Sequence, residues 1–443
     1  MAHILPFRGV LYDPAVVKDI AQVVAPPYDV IDEAGQEALY ARHPNNVIRL
    51  EFGQDHPGDG PTHNKYTRAA VCLRDWLTQG ALRREAVPAI YPYAVEYRVP
   101  SSVGTVETRV LKGFMSNVEL EEFGSGKIYP HENTRAAAKA DRFQLLETCR
   151  ANFSPIFSLF SDPQKEVQGI IEQVMATQPA RFEFHDDEGF RERLWTVTDR
   201  AVLDRVVAGM SSKPLFIADG HHRYETALNY RRSRREQSGA TSGLQPFDSV
   251  LMLFACLEDP GLTVLPTHRM LTKPLPTAED ARRRLADAFD IEVLSYTAGN
   301  KTAVRARFLD TMRHDGQTKT VFGLVLKGES AYWLLRLKES HRPSAASTPR
   351  DRLDVSILQS EVLSRLLLDK KDEDAITYTK DDHEAVDWVR QGKAEGALVL
   401  NATKVSEVRD VAASGGRMPH KSTYFFPKPL TGLVMNVLDE SLG

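Results

Sequence analysis

Two patterns of apolar and polar positions recur along this chain, and the sharpest change from one to the other lies near its middle. Leu215 to Ala218 is a continuous apolar run, which is typical of a short buried strand. Gly220 interrupts the run and allows a tight turn. The residues that follow place Tyr224, Ala227 and Leu228 at the spacing of a helix that is buried on one side. The pattern therefore predicts a strand, a turn and a helix in immediate succession.

The same two patterns extend on both sides of this turn. Apolar runs predict strands at 47–52, 89–97 with a hairpin through 106–110, 195–197, 250–256, 320–326, 331–337, 375–379 and 396–400. Helical spacing predicts helices at 66–77, 163–180, 201–210, 221–235, after residue 275, 355–368 and 384–390. The alternation of strands and helices from residue 195 to 256 indicates an α/β class with mixed α+β character.

The length of the chain, 443 residues, is enough for two or three domains. We predict an N-terminal α/β region at 1–180, a core at 190–338 that carries the turn, and a C-terminal α/β region at 351–443. A stretch rich in Ser, Pro and Ala at 339–350 is the expected flexible connection between the last two.

Composition restricts the function classes. The chain is 42% hydrophobic and 26% charged, as is usual for a globular protein, and its net charge of −4 gives no overall attraction to DNA or membranes. Three scattered cysteines, Cys72, Cys149 and Cys256, favour a reducing compartment. No signal-peptide pattern or long apolar run is present. We therefore expect a cytoplasmic protein with no membrane partner.

The turn concentrates chemistry in five residues. Asp219, Gly220, His221, His222 and Arg223 stand where a strand gives way to a helix, and the free N–H groups of such a helix start favour an anion. Arg223 adds a permanent cation suited to phosphate. We interpret the turn as a phosphate or nucleotide site. The alternative is an ordinary helix cap, since Asp is common at that position.

Glu225 lies four residues after His221, so the two side chains share a helix face and could form an ion pair or bind a cation. Zinc is not expected, because no third ligand follows at the usual spacing. Four arginines end the same helix, at 231, 232, 234 and 235. Cations suit the negative end of a helix, and this interpretation is favoured over a nucleic-acid patch.

Other candidates lie far from the turn in sequence. Small hydroxyls beside lysines suit phosphate oxygens, and His–Glu or His–Arg pairs can carry protons or bind ligands. The alternatives are a surface loop anchored by Phe425 and Phe426 and a helix start near residue 132. The candidates are Lys404, Lys421, Ser422 and Thr423 for phosphate, His131 and Glu132 for proton transfer or metal, Asp29 in a stiff Pro-Pro loop, and the pair His268 and Arg269.

Together these segments resemble an uncharacterised bacterial and archaeal group, domain-of-unknown-function family 1015, across nearly the whole chain. The resemblance implies family membership and carries no assigned activity. It rests on the segments 6–9, 25–31, 130–134 with Lys139, Asp141 and Arg142, Asn152, 154–156, 218–227, 266–269, 353–355, 418–423, 427–429 and 431–433.

The strand, the Asp-Gly turn and the helix also resemble the ParB/sulfiredoxin fold, in which such a turn binds nucleotide phosphates. This resemblance implies a ParB/sulfiredoxin-like core at 190–338. Its members include partition proteins that use CTP, sulfinic acid reductases that use ATP, and an ADP-dependent kinase of free serine. The chain has no evident helix-turn-helix region, and Cys256 lies in an apolar strand rather than at the reductase position. Both absences favour the kinase-like relatives, by analogy of fold.

These observations lead to one main hypothesis, an enzyme that binds ATP, ADP or CTP with Mg²⁺ and transfers a phosphoryl group to a small hydroxyl metabolite such as serine. The N–H groups of Gly220 and His221 would bind phosphate together with Arg223. The alternative is a non-catalytic nucleotide switch of the ParB type. The remaining roles are Asp219 for Mg²⁺ or as a base, His222 as a donor to the transferred group, Glu132 as a second metal ligand or base, and Lys404, Lys421, Ser422 and Thr423 closing over the phosphates.

Overall fold

A computed structural model describes residues 3–100, 106–132, 134, 136–239, 243–367 and 376–439. Strands and helices alternate through this part of the chain, and the predicted mixed α/β class is confirmed. The strands are β1 (Ile4–Leu5), β2 (Val10–Tyr12), β3 (Leu82–Arg84), β4 (Tyr91–Pro100), β5 (Val106–Glu119), β6 (Ile128–Tyr129), β7 (Ala151–Asn152), β8 (Ile156–Phe160), β9 (Phe182–His185), β10 (Arg191–Leu194), β11 (Leu215–Asp219), β12 (Ser249–Cys256), β13 (Thr263–Leu265), β14 (His268–Leu271), β15 (Phe289–Ser295), β16 (Val321–Leu326), β17 (Ala331–Leu337), β18 (Ile376–Thr379), β19 (Gly396–Val399), β20 (Tyr424–Phe426) and β21 (Asn436–Val437).

The helices connect and cover these strands. Short 3₁₀ turns lie at Ile20–Gln22, Tyr28–Val30, Pro246–Asp248 and Glu339–His341, and a π-helical segment lies at Leu358–Leu363. No helix among the described residues combines the length and the apolar character needed to cross a bilayer. The α-helices are α1 (Glu33–Arg42), α2 (Ile48–Glu51), α3 (Lys65–Thr78), α4 (Ala136–Cys149), α5 (Gln168–Thr177), α6 (Arg200–Met210), α7 (His221–Ser238), α8 (Ala278–Leu285), α9 (Lys301–Asp315), α10 (Asp354–Ile357), α11 (Ser364–Leu366), α12 (Asp382–Arg390) and α13 (Val405–Ala413).

The strands form two main sheets. The larger has the order β6-β11-β8-β12-β5-β4-β10-β9, with β1 also pairing to β5, and the smaller has the order β15-β17-β16-β19-β14-β18. The predicted hairpin is present, since β4 and β5 pair antiparallel from Tyr91 opposite Met115 to Pro100 opposite Val106. The pairs β11 with β6 and β12 with β8 are parallel.

Strand β12 shows why the sequence pattern there is a continuous apolar run. Every residue of β12 is buried, because both faces of the large sheet are covered. Val250, Met252 and Phe254 pack in the core beneath α5 to α7, whereas Leu251 and Leu253 pack in the core on the opposite face. Successive side chains thus point to opposite apolar layers, as the strand period of two requires.

The C-terminal segment returns to the large sheet. Strand β20 pairs with β13, from Thr263 opposite Phe426, and β21 pairs with β7. This return brings residues 418–437 alongside the end of β11. The large sheet also takes strands from both sides of the predicted boundary near 180–190. The division into three regions along the chain therefore stays a prediction that the sheets do not follow.

Several predicted elements differ from the structure. The run 47–52 forms α2 rather than a strand, and the strand predicted at 195–197 lies instead at β10, with Val197 forming only an isolated bridge to Ile90. Two helices, α8 and α9, with β15 between them, replace the single helix predicted after residue 275. Asn133 of the 130–134 motif and the predicted element ends at 368 and 375 lie outside the described residues.

Candidate functional site

The site is built on the predicted turn between strand and helix. Strand β11 is buried up to Ala218, and Gly220 follows Asp219 with a φ of 93°, in the left-handed region that glycine tolerates. Helix α7 then runs from His221 to Ser238. Among the described residues no side chain caps α7, and no acidic residue occupies its first turn. The positive N-terminal end of an 18-residue helix is thus left without a side-chain acceptor.

A lysine from the C-terminal segment contacts this turn. Lys428 Nζ lies 2.8 Å from Asp219 Oδ1 and 2.8 Å from Asp29 Oδ2, and its side chain is only 10% exposed. Burial lowers the pKa of Lys428, but the two carboxylates outweigh burial and raise this pKa above its usual value. Burial likewise raises the pKa of Asp219, yet the charges of Lys428 and Arg223 hold it well below its usual range. Asp219 and Lys428 are therefore both charged at neutral pH.

Arg223 contacts Asp219 and also lines a small cleft with Glu51, Arg142 and Ser154. One terminal nitrogen donates to Asp219 Oδ2 at 2.9 Å, and the other donates to Ser154 Oγ at 2.9 Å and to the Pro155 carbonyl at 2.6 Å. The guanidinium also packs over Gly220. Both terminal nitrogens are thus bound within the protein, and the role of Arg223 as a phosphate ligand stays a prediction.

A buried ionic network continues behind Arg223. Ser154 donates to Glu51 Oε1 at 3.0 Å, and Arg142 donates to Glu51 Oε1 at 3.2 Å. Arg142 also donates to Asp141 Oδ2 at 2.6 Å and stacks 4.1 Å above the ring of Tyr28. Arg142 and Glu51 are each 5% exposed. This network fixes the position of Arg223 and, through it, of Asp219.

The carboxyl of Glu132 has a raised pKa. Its side chain is half-buried, and burial together with the nearby charge of Asp219 raises the pKa of Glu132 to about 7, although Lys421 and Lys428 oppose the change. The Glu132 carbonyl accepts a hydrogen bond from Arg417 at 3.2 Å, which fixes the backbone. A carboxyl with a pKa near 7 can accept or donate a proton at neutral pH.

Two of the predicted histidines, His131 and His221, are buried and hydrogen-bonded within the protein. His131 Nδ1 donates to the Ile217 carbonyl at 2.7 Å, so its neutral ring accepts at Nε2 from the Thr423 hydroxyl at 3.1 Å. The His131 N–H donates to His221 Nε2 at 3.2 Å. Burial lowers the pKa of His131 to about 4 and that of His221 well below its usual value, so both rings stay neutral.

His222 lies on the more exposed side of the same turn. Burial lowers its pKa, while the charges of Glu225, Asp29 and Asp219 act in the opposite direction. A neutral imidazole keeps one N–H that can donate. His222 therefore retains its predicted position beside the turn.

The predicted pair of His221 and Glu225 is not formed. Glu225 Oε2 accepts from Lys139 Nζ at 2.8 Å and from the Thr134 hydroxyl at 2.7 Å. Lys139 and Thr134 belong to the 130–142 segment that the sequence singled out. Glu225 thus ties that segment to α7.

The loop at 418–423 contributes its lysine but not its hydroxyls. Ser422 donates to the Pro419 carbonyl and Thr423 to His131, so both hydroxyls are bound within the protein. Buried Arg269 donates to the Lys421 carbonyl at 3.1 Å and supports the loop. His268 is a core residue, since its Nδ1 accepts from the Leu400 N–H at 3.1 Å.

Lys404 is not brought to the turn. It precedes α13, its Nζ donates to the Gln317 carbonyl at 3.4 Å, and it lines a separate cleft. The cleft beside the turn has a volume of about 70 Å³ and lies between the Pro26–Pro27 loop, Tyr424, Phe426 and Lys428. Lys428 lines this cleft together with Arg42 and three acidic residues, Asp186, Asp187 and Glu188.

The sequence analysis did not assign roles to Lys428, Arg417 or Glu51. One feature of the sequence indicates Lys428: this cation lies between Pro427 and Pro429, in one of the motifs that resemble the family. Glu51 had been placed in a predicted strand, so nothing in its local pattern indicated a buried ion pair.

Comparison with protein families identifies the group. The model of DUF1015, described as a protein of unknown function, matches residues 4–356. The chain belongs to this family. The resemblance of the separate motifs to family 1015 is thereby confirmed, and membership by itself assigns no activity to the site. No curated protein matches the chain.

Three solved structures are distantly similar to this member of the family. A conserved hypothetical protein from Pyrococcus furiosus aligns with a TM-score of 0.32 and 14% identity, covering 72% of this chain and 94% of its own. A free serine kinase variant in complex with ADP has a TM-score of 0.35 and 13% identity, with 72% and 91% covered. A C-terminally truncated SbnI from Staphylococcus aureus has a TM-score of 0.34 and 9% identity, with 71% and 86% covered.

Three of the four arginines that end α7 contact carboxylates, and Arg234 donates to Gln237 Oε1 at 3.1 Å. Arg231 and Arg232 both contact Glu122, at 2.8 and 2.5 Å, and Arg235 contacts Asp248 at 2.7 Å. These pairs anchor the end of the helix to neighbouring loops. They support the structural interpretation of these residues over a nucleic-acid patch.

Gly220→Ala is expected to destabilise the protein by more than left-handed backbone strain alone, which is about 1–2 kcal/mol. An added Cβ would lie 2.9 Å from a terminal nitrogen of Arg223 and would push the guanidinium from Asp219. Gly124→Ala is the matched control, because Gly124 has a φ of 84° and open space around the added carbon. Urea unfolding measures both changes, and equal losses would show that the contact between Arg223 and the turn is unimportant.

Proposed function

We propose that this protein is a small-molecule phosphotransferase that binds a nucleotide at the start of α7. The observation that carries the proposal is the uncapped N-terminus of α7 beside Lys428 and the carboxyl of Glu132. Free N–H groups and lysines favour phosphate, and a carboxyl that titrates near pH 7 supplies acid–base chemistry. Phosphoryl transfer needs mainly such positioning and charge neutralisation.

In this mechanism the first N–H groups of α7, at Gly220 and His221, bind phosphate oxygens together with Lys421. The hydroxyl of a small acceptor attacks the terminal phosphorus, the bond from phosphorus to the bridging oxygen breaks, and the nucleotide product, shorter by one phosphate, keeps that oxygen. Glu132 in its ionised form accepts the hydroxyl proton. Lys428, oriented by Asp219 and Asp29, stabilises the charge that develops on the transferred group.

His222 keeps its proposed role as a donor to the transferred group, and Asp219 takes a different one. Because Lys428 and Arg223 occupy both carboxylate oxygens of Asp219, this residue orients Lys428 instead of accepting a proton. The neutral N–H of His222 stands at the first turn of α7, next to the phosphate-binding groups.

The predicted Mg²⁺ ligands fit poorly. Both oxygens of Asp219 pair with cations, and the described residues form no cluster of three or more His, Cys, Asp or Glu side chains that could hold a metal. We therefore assign no step to a protein-bound metal. Nucleotide phosphates bind Mg²⁺ themselves, so the ion belongs in the assay as part of the nucleotide.

The ParB/sulfiredoxin-like core predicted at 190–338 and the serine-like acceptor belong to this proposal. Support for the core is the order of β11, a glycine turn and α7, which is the order that the resemblance requires. Support for a small acceptor is the modest volume, about 70 Å³, of the cleft that ends at Lys428.

Turnover of nucleotide tests the proposal. We expect purified protein incubated with Mg²⁺, a pool of hydroxyl metabolites and ATP, ADP or CTP to consume one of the nucleotides, as followed by phosphorus NMR. Since Glu132 must be ionised to accept a proton and its pKa is raised to about 7, kcat/KM should fall about tenfold per pH unit below pH 7 and level off above it. Tight nucleotide binding without turnover would favour the non-catalytic nucleotide switch over the enzyme. The absence of both nucleotide binding and turnover would overturn the proposal.

A further inference from the structure

A second polar cleft lies beside the smaller sheet, away from the turn. It is formed where the loop after α9, the loop before α10 and the start of α13 meet, and its volume is about 230 Å³. The residues that line it are separate from those of the cleft that ends at Lys428. It includes Lys404, which the sequence had suggested as a phosphate ligand.

Cations converge on this cleft from separate segments. Its lining includes Lys319, Arg342, Arg352 and Lys404. Of these four cations, Arg342 forms an ion pair with Glu339 at 3.3 Å in the described part of the chain. Like charges gathered in one cleft repel each other, so a bound anion would relieve that repulsion.

The carboxylates in the cleft make their hydrogen bonds with other groups. Glu407 accepts the N–H of Lys404 at 2.8 Å, and Asp354 accepts the Thr320 hydroxyl at 2.7 Å. Burial raises the pKa of Asp354 to about 6, and the nearby charges of Lys404 and Arg342 oppose this change. Glu407 also occupies the first turn of α13, so this helix end is capped and adds no open positive charge to the cleft.

We propose that this cleft is a second binding site, which takes the phosphate group of a phosphorylated small molecule. A phosphate monoester carries a charge of about −1.5 to −2 at neutral pH, which suits four cations better than a single carboxylate does. Arginine matches phosphate with paired N–H groups, and lysine acts as a point charge. The site uses none of the residues assigned to phosphoryl transfer and stands independently of that function.

Calorimetric titration of the full chain with inorganic pyrophosphate tests the site. The double variant Arg352→Gln with Lys319→Gln should bind pyrophosphate at least about tenfold more weakly, because two charge-assisted contacts are lost. The matched control is Arg205→Gln with Lys18→Gln, which removes the same charge from exposed positions on other elements and should leave affinity unchanged. Titration with malate, a dicarboxylate, should show weaker binding than pyrophosphate. Equal affinity in the two double variants, no binding by the unaltered protein, or malate binding as tight as that of pyrophosphate would overturn the proposal.

A third variant distinguishes binding at this second site from binding at the turn before α7. Lys421→Gln weakens the proposed phosphate site at α7 but leaves the second cleft intact, so its titration should keep the binding event that the Arg352 and Lys319 variant loses. Persistence of that event in Lys421→Gln, with no nucleotide turnover by the unaltered protein, would mean that the proposed phosphotransferase function alone fails. Nucleotide turnover by the unaltered protein, with no such event in Lys421→Gln, would mean that the second site alone fails.

Discussion

Glu132→Gln is expected to lower kcat for phosphoryl transfer by about 100- to 10,000-fold, the usual contribution of a positioned base. Glutamine keeps the size of the side chain but cannot accept the proton of the acceptor hydroxyl. Nucleotide affinity should stay close to that of the unaltered protein, because the N–H groups of α7 and Lys421 bind the phosphates. Steady-state kinetics measures kcat, and nucleotide-induced thermal stabilisation reports binding.

The control for this variant is Glu37→Gln, the same chemical change at an exposed position on α1. Its kcat should equal that of the unaltered protein. An active Glu132→Gln protein would exclude Glu132 as the base and would move the search to His222. Loss of binding together with activity would show that Glu132 serves the nucleotide site rather than the proton transfer.

Arg142→Met should destabilise the folded protein by about 3–5 kcal/mol, the typical loss when one partner of a buried ion pair is removed. Glu51 would remain 5% exposed with no cation beside its carboxylate. Urea unfolding measures the change. Adding Glu51→Gln to this variant should restore part of the loss, because the uncompensated charge is then gone.

Arg200→Met provides the comparison for this second prediction. Arg200 is 86% exposed and pairs with Asp204 on the surface of α6, where such pairs contribute about 0–1 kcal/mol. A similar small loss in Arg142→Met would mean that the network behind Arg223 does not stabilise the fold. The difference between the two variants therefore measures how much burial strengthens this network.

The charged groups of this network alternate in sign along the chain of contacts. Removing one group therefore leaves its neighbours without a partner of opposite charge. Asp219 and Lys428 are the members closest to the proposed chemistry, and the others fix their positions. In sequence of contact the charged members are Asp141, Arg142, Glu51, Arg223, Asp219, Lys428 and Asp29, with Ser154 between Glu51 and Arg223.

Local patterns predicted the elements around the turn well. An apolar run, a glycine and helical spacing give β11 and α7 because each signal is complete within about ten residues. The strand predicted at 47–52 is wrong because a six-residue stretch fits both the strand period and the helix period. Val47, the N-cap residue of α2, and Ile48 and Leu50 within α2 are all fully buried, and the side chain of Asn46 accepts the Ile48 N–H. Such capping and burial depend on tertiary contacts, which a short sequence pattern does not indicate.

The site was predictable only where it is local. The turn at 219–222 is continuous in sequence, and Glu132 stood out as an acid in a dense polar segment. The contacts of Lys428 with Asp219 and of Arg142 with Glu51 join residues far apart in the chain. Nothing in the spacing of these residues indicates that they meet, and so the sequence analysis assigns no role to Lys428, while the role of Arg223 as a phosphate ligand stays a prediction.

The return of the C-terminal segment means that the site forms only after nearly the whole described chain has been synthesised. A ribosome extrudes β11 and α7 long before Lys421 and Lys428, so a nascent chain holds Asp219 and Asp29 without Lys428 until residue 428 emerges. A product truncated ahead of residue 418 would hold the same two carboxylates without that lysine. Under the proposed function, such a product should not transfer phosphate.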